Sequence, residues 1–377
     1  MSDTVMPHQL ANLARKALKL RETRREILQS EGQQALDMIL EAPSPATLIQ
    51  SFPEQDLYYL MHKVGIHDFT PVLSRASSQQ WEYILDVEVW DDDRLNTIVM
   101  AQAFGHLFKA DPHRLLRWTL KEKPEFLEFF LFHHMEMVVR EHDEPPPSDH
   151  EDYITLDDKF YFRFPAPPPG APGENDGDEG DILPDTPPEE TRPHEDTPEL
   201  IENMLRSLAE MDLSVFHGLL LETTALLPSE AEEEQYRQKN IRLAEKGFEP
   251  PHEAIGIYQP VRSGTLRKRP DMGISTPAYD PEIPLPPQFF TAFIDGEDLF
   301  TAALGRVDEV EKTFVFQSEL AALINKIISA DRVKLRKRET VRDVMTKATA
   351  YLSLGLEVIA DGEATPDRAA SLIRTYY

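Results

Sequence analysis

Apolar residues recur along most of this chain at spacings of three and four, the period of a helix with one buried face, and one such phrase occurs twice. The first copy runs from Leu48-Ile49 through Ser51-Phe52-Pro53-Glu54-Gln55-Asp56-Leu57 to Met61, and the second from Val72-Leu73 through Ala76 and Trp81 to Leu85. Their offset is 72 − 48 = 24 residues. At that offset Leu48 matches Val72, Ile49 matches Leu73, Phe52 matches Ala76, Leu57 matches Trp81, Leu60 matches Ile84 and Met61 matches Leu85. Helices this short bury their faces by stacking on one another, so the period predicts a helical repeat. Two copies fall short of the ~3 a repeat array usually needs, which keeps two unrelated amphipathic helices as the alternative. Fainter echoes lie at Asp111 to Trp118 and at Leu208 to Leu213.

Caps sharpen the boundaries. Ser51-Phe52-Pro53-Glu54 reads as a capping box with proline in the first turn, and Ser77 to Gln80 reads as the same device without the proline. Further helices are predicted over 10–40, 95–107, 115–139, 198–208, 213–227, 230–246, 252–258 as a short buried helix, 288–304, 319–329, 339–359 and from Pro366 onward, where Thr365 is the cap. The run Phe126 to Phe132 is too apolar for a surface helix and predicts the most buried part of the N-terminal half. Alternation of aromatic and β-branched residues over 153–164, around Asp157-Asp158, predicts a β-hairpin that needs a docking partner to persist.

The predicted fold is therefore mostly α, in three parts: an N-terminal helical-repeat array over 1–143, an acidic Pro-rich linker over 144–197 that carries the hairpin, and a C-terminal helical domain over 198–377. From Pro165 to Asp196 the chain is dominated by Pro, Gly, Asp and Glu and reads as disordered. The Pro- and Gly-rich stretch over 262–287 reads as a long irregular loop. The last helix stops at Tyr376-Tyr377 without a Gly, Asn or basic cap, which suggests an interrupted element and a chain shortened from a longer protein.

Composition changes this picture in two places. Basic residues number 39 against 67 acidic, a formal charge of −28, which argues against broad contact with nucleic acid or an anionic membrane. The chain has no cysteine, which removes disulfides and thiolate chemistry and fits a reducing cytoplasm. It also has no apolar run long enough to span a bilayer. A basic helix carrying Arg15, Lys16, Lys19, Arg21, Arg24 and Arg25 reads as a solvated face that pairs with acidic parts of the chain, with membrane, nucleic-acid or acidic-partner binding as alternatives. The basic run Arg332 to Arg338 reads as a partner for acidic protein segments.

Candidate chemistry is thin. Asp91, Asp92 and Asp93 offer oxygen ligands for a hard cation, but a run just ahead of Leu95 reads more simply as the cap of a helix. His133 and Glu136, three apart on a predicted helix, would share a face as metal ligands beside His134, Arg140, Glu141, His142, Asp143 and Glu144. The plainer reading is a helix end that runs into the acidic linker. The sequence lacks a glycine-rich phosphate loop, a nucleophile elbow and a dinucleotide fingerprint, so no cofactor and no catalytic residue is assigned.

The phrases Leu13-Ala14-Arg15-Lys16-Ala17-Leu18, Gln50 to Tyr59, Trp81 to Asp86 and Glu253 to Pro260 resemble a bacterial domain-of-unknown-function family, number 6178, over nearly the whole chain. That resemblance implies no activity. The Phe-Pro-Glu-x-Asp-Leu unit also resembles, over 46–118, the superhelical cytosolic domain of magnesium transporters and related flagellar switch modules. It implies helical repeats used as a protein-contact surface, and nothing of transport. The expectation from all of this is a cytoplasmic scaffold or adaptor that binds a protein partner through the repeat surface, with Tyr58, Trp81 and Trp90 as candidate anchors, although each reads more simply as core. The alternative is a divalent-cation-responsive regulator.

Overall fold

Local caps set most of the helix boundaries in the computed structural model, which describes residues 19–141, 144–147, 152–165, 196–259, 268, 287–290, 297–307, 309–334, 338–362 and 364–376. The acidic tract over 166–195 lies outside the described residues. So do Arg15, Lys16, His142 and Asp143, residues 335–337 of the basic run, and nearly all of 262–287.

The structure is mostly helical with a few short strands. It divides into two compact units, one made of residues 1–83 with 240–377 and the other of residues 84–239. The second is an insertion in the chain of the first.

In the first unit, helix α1 covers 19–29, followed by α2 (Gly32–Leu40), α3 (Pro45–Gln50), α4 (Glu54–Val64), α5 (Thr70–Leu73) and α6 (Ser78–Glu88). The two copies of the repeated phrase both fold as a short helix followed by a longer one, and the longer helices start at Glu54 and Ser78, again 78 − 54 = 24 residues apart. Both members of all the matched apolar pairs are buried. The caps differ. Ser77 and Gln80 form the reciprocal box, with the Gln80 amide donating to Ser77 Oγ at 3.1 Å and the Ser77 amide donating to Gln80 Oε1 at 2.8 Å. Ser51 instead donates its hydroxyl to the Leu48 carbonyl at 2.7 Å and so closes α3, while Pro53 occupies the cap of α4 without a side-chain bond. The expected first box is therefore absent, because Pro53 has taken the cap position and Ser51 lies two residues too early.

Gly32 is required where α2 approaches α4, since a Cβ there would stand 2.5 Å from the Lys63 carbonyl oxygen. Gly65 ends α4 at φ 105°, a region open to glycine. Arg24, part of the expected solvated basic face, is buried, and its guanidinium donates to the Ser51 carbonyl at 2.7 Å.

The rest of this unit holds α13 (Pro251–Ala254), a 3-10 turn (Ile255–Tyr258), α14 (Leu299–Leu304), α15 (Glu309–Ala330), α16 (Arg338–Ala360) and α17 (Pro366–Thr375). Helix α16 packs against α14, α15 and α17, and α13 with its 3-10 turn packs against α15. Val341, Val344, Met345, Ala348, Leu356 and Ala360 form the buried stripe of α16. Thr365 caps α17 as expected, accepting from the Arg368 amide.

The second unit contains α7 (Thr97–Ala110), α8 (Pro112–Glu122), α9 (Pro124–His134), α10 (Thr197–Met211), α11 (Leu213–Ala225) and most of α12 (Pro228–Glu245). Phe126, Leu127, Phe129, Phe130 and Leu131 are buried, as their composition predicted, although Phe132 is exposed. The helix expected to continue to Val139 stops at His134, and β3 (Glu136–Val139) pairs antiparallel with β5 (Phe160–Arg163), which in turn pairs with β4 (Ile154–Thr155). The hairpin is thus the expected one, with an unforeseen third strand that makes β5 central. Phe160, Tyr161 and Phe162 are all buried, and Phe160 meets the Phe216 ring edge-on at 6.2 Å. This docking supplies the support that an isolated hairpin lacks in water.

Candidate protein-contact surface

The three aromatic anchors expected on the repeat surface are core residues. Tyr58, Trp81 and Trp90 are 3 %, 0 % and 5 % exposed, and Trp81 Nε1 donates to the Leu73 carbonyl at 2.9 Å. Their rings are buried as part of the core, together with aliphatic residues such as Leu57, Leu60, Ile84 and Leu85.

The expected metal ligands are also placed by other demands. Asp92 and Asp93 form the turn of a small hairpin between β1 (Trp90–Asp91) and β2 (Arg94–Leu95), with Asp92 at φ 55°. Asp tolerates that left-handed backbone better than most residues. The helix that follows is capped by Asn96, whose side chain accepts from the Val99 amide at 3.0 Å, so the aspartates do not cap it. Asp91 accepts from Asn96 Nδ2 at 2.7 Å. His133 lies in the last turn of α9 and Glu136 opens β3, so the helical face they were expected to share does not exist. His133 Nδ1 is 2.9 Å from the Phe129 carbonyl, and Glu136 pairs with Arg163 at 2.7 Å. Burial lowers the pKa of His134, whose Nε2 donates to the Thr97 carbonyl at 3.1 Å. Among the described residues, no three His, Asp or Glu side chains come together as a metal site.

Two polar clusters escaped sequence reasoning. In the first unit, three consecutive residues at the start of α4 each reach a distant part of the chain. Glu54 pairs with the Lys246 ammonium at 3.0 Å, and Gln55 donates to Asn325 Oδ1 at 3.1 Å. Asp56, fully buried, accepts the Gln288 amide on both oxygens at 2.8 and 3.0 Å and the Phe289 amide at 2.8 Å. Burial pushes the Asp56 carboxyl up to about 7, against the pull of those two amides and of nearby Arg24. In the second unit, the Lys239 ammonium sits 4.5 Å from the ring centroids of both Trp90 and Tyr236. Burial lowers its pKa to about 8 although Asp86, Asp92 and Asp93 oppose the shift. Both clusters tie backbone segments together and lie inside their units.

The surface offers a different feature. On α16 the exposed apolar residues Tyr351, Leu354 and Val358, at 53 %, 57 % and 81 % exposure, follow an i, i+3, i+7 pattern beside the buried stripe. Tyr258 of the 3-10 turn extends this face, its ring centroid 6.0 Å from that of Tyr351. Ile255, 56 % exposed and three residues earlier, is eclipsed with Tyr258 on the same side of the turn. Tyr258 is anchored rather than loose. Its hydroxyl donates to Asp331 Oδ1 at 2.9 Å, Lys347 donates to Asp331 Oδ2 at 2.6 Å, and the Lys347 ammonium lies 4.6 Å from the Tyr258 ring centroid. Hydrogen bonds to Asp331 and then to Tyr258 raise the pKa of Lys347, so it remains a cation committed to this cluster.

Five large apolar side chains at these exposures present on the order of 500 Å², comparable to the largest apolar patches of monomeric proteins, which are often functional. From Thr346 to Ala360 the helix carries only two charged residues, Lys347 and Glu357, in a chain that is 28 % charged. Periodicity located α16, but a stripe of three apolar residues reads in sequence as more core. It stands out only once Val341, Met345, Ala348, Leu356 and Ala360 are seen to form the buried side of the helix.

No helix among the described residues is long and apolar enough to cross a membrane. No curated protein and no solved structure matches the chain. The model of a family described as a family of unknown function (DUF6178) matches residues 13–377, and the chain belongs to that family.

Proposed function

We propose that this protein is a cytoplasmic scaffold or adaptor that holds a protein partner on the exposed face formed by Tyr351, Leu354 and Val358 of α16 with Ile255 and Tyr258. The observation that carries this reading is the apolar patch itself. Exposed apolar residues scattered singly are ordinary, but a contiguous group of them, rigidly mounted and nearly free of charge, carries a cost in solubility that binding offsets. Rigid mounting favours binding as well, because Tyr258 is already fixed by Asp331 and Lys347 and loses little conformational freedom on contact. The absence of cysteine is consistent with a reducing compartment. In this reading the repeat helices α3 to α6 serve as core, and contact falls to α16 instead of to Tyr58, Trp81 and Trp90.

The test is site-directed photo-crosslinking in the native cell, with a photoreactive phenylalanine replacing Tyr351 or Tyr258 in the full chain. The expected result is a discrete protein adduct from both positions that disappears when Leu354→Glu is added. Absence of an adduct at both positions would refute the proposal.

A further inference from the structure

The rim of the α16 face carries information about what covers it. The residues that build the patch lie in two segments, 251–259 and 346–361, and their carboxylates are Glu253, Glu357 and Asp361. Glu357 is exposed and follows Leu354 by three residues, so it flanks the apolar stripe at helical spacing, and Asp361 is exposed in the turn that directly follows α16. Glu253 is exposed two residues ahead of Ile255, with 62 % of its side chain accessible, and its Oε1 lies 3.7 Å from Nε2 of the exposed His252. The ammonium group of the two segments, Lys347, is engaged by Asp331 at 2.6 Å. The face is therefore an apolar centre with an acidic border, on a chain whose formal charge is −28.

Resting on the protein-binding reading above, we infer that the occupant is an amphipathic helix of another protein with a basic border: apolar residues at i, i+3 or i+4 and i+7, flanked by Lys or Arg. The i, i+3, i+7 stripe of Tyr351, Leu354 and Val358 is the surface that one helix offers to another, and Gly355, whose absent Cβ meets nothing within 4 Å, leaves room in the stripe for close approach. The charges then select among helices. A second copy of this chain would bring Glu357 and Asp361 against the same acidic border and repel, whereas Lys and Arg at the flanks of a partner helix would meet them. An extended peptide is disfavoured, because α16 offers no strand edge to pair with. The border contributes orientation and encounter rate, and the apolar centre contributes most of the affinity.

The decisive experiment uses the full chain and two designed peptides of ~18 residues, long enough to form a stable helix in contact. Both carry the same Leu and Ile stripe, one flanked by Lys and the other by Glu at the same positions. Binding is read by fluorescence anisotropy, and self-association of the protein by sedimentation. The Lys peptide is expected to bind at least about tenfold more tightly than the Glu peptide. Leu354→Glu with Val358→Glu is expected to weaken the Lys peptide about tenfold or more even though it adds negative charge. Glu357→Lys with Asp361→Lys is expected to narrow or reverse the preference between the peptides. These positions are exposed, so the substitutions leave the core intact.

If the double Glu variant binds the Lys peptide as well as or better than the parent, the attraction is general electrostatics and the inference fails. Equal binding of the two peptides, lost on Leu354→Glu, would overturn the basic border and leave the protein-binding reading standing. Concentration-dependent dimerisation abolished by Leu354→Glu would assign the face to a second copy and overturn the basic-helix occupant. Failure of both peptides together with absence of any crosslinked adduct would remove both readings.

Discussion

Asp56 gives the most demanding test of the physical reasoning. Its folded pKa of about 7 stands above the ordinary 3.8, a difference of 7 − 3.8 = 3.2 units. Between those values the folded chain keeps a proton that an opened chain releases, so the folded state binds more protons and stability falls as pH rises. The contribution of the neutral group is fully present below pH 3.8 and lost as pH climbs through about 7. The slope is ~1.4 kcal/mol per pH unit, and across the window the loss is ~4 kcal/mol. Asp56→Asn removes this dependence, because an amide is neutral throughout and keeps one acceptor for the Gln288 and Phe289 amides.

The assay is native-state hydrogen exchange at Gln288 and Phe289, whose amides donate to Asp56, in parent and variant from pH 4 to 9 at constant ionic strength, corrected for the intrinsic pH dependence of exchange. The parent-minus-variant opening free energy is expected to fall between pH 4 and 7 and then level off. Taking the difference cancels the opposing slope of carboxylates such as Asp158, whose pKa is lowered by bonds from Tyr161 and Arg140. A flat or rising difference would show that the amides and Arg24 outweigh burial and that the carboxylate is ionised throughout, which would refute the reasoning.

Further expectations follow from single contacts. Ser77→Ala, which removes the working cap of α6, should cost ~1 kcal/mol in urea unfolding, whereas Ser51→Ala should cost visibly less because its hydroxyl only closes α3. Gln80→Leu should cost ~2–3 kcal/mol, since Gln80 Nε2 donates to both the Ile49 and Phe52 carbonyls at 2.9 Å and those acceptors are buried. Trp81→Ala should destabilise by ~3–5 kcal/mol through a cavity at a fully buried site; a loss under about 1 kcal/mol would show that the site is not close-packed. The Lys239 amine, followed by NMR of selectively labelled lysine, should titrate near pH 8. Its folded pKa is depressed, so the folded chain sheds a proton early and stability rises with pH between about 8 and 10.5 relative to Lys239→Met.

Much of the fold is legible in the sequence because helix periodicity is a local signal. The offset of 24 residues reappears in the spacing of α4 and α6, and the apolar matches are the buried ones. Thr365 and Ser77 are correct caps for the same reason, since a cap concerns a single turn of backbone. The expected boundary fails where helix gives way to strand. Nothing within Glu136 to Val139 distinguishes a last helical turn from a strand, and the choice is made by β5, whose Phe160 lies opposite Val139. The aspartate run, a cap by its place in the sequence, is instead a turn, because Asn96 wins the cap position and frees Asp92 to adopt the left-handed backbone.

The sequence by itself determined the helical class, the repeated pair of short and long helices, the hairpin over 153–164 and the charge of −28, because each rests on the order of neighbours or on simple composition. Tertiary structure decided which aromatic residues are core and which polar residues meet: Asp56 finds Gln288 at a separation of 232 residues, and Tyr258 finds Lys347 and Tyr351 across separate helices. It also decided which apolar stripe of α16 is left over for contact. A sequence states that both faces of that helix are apolar in places, but burial is a property of what packs against each face, and only α14, α15 and α17 together choose the side that remains exposed.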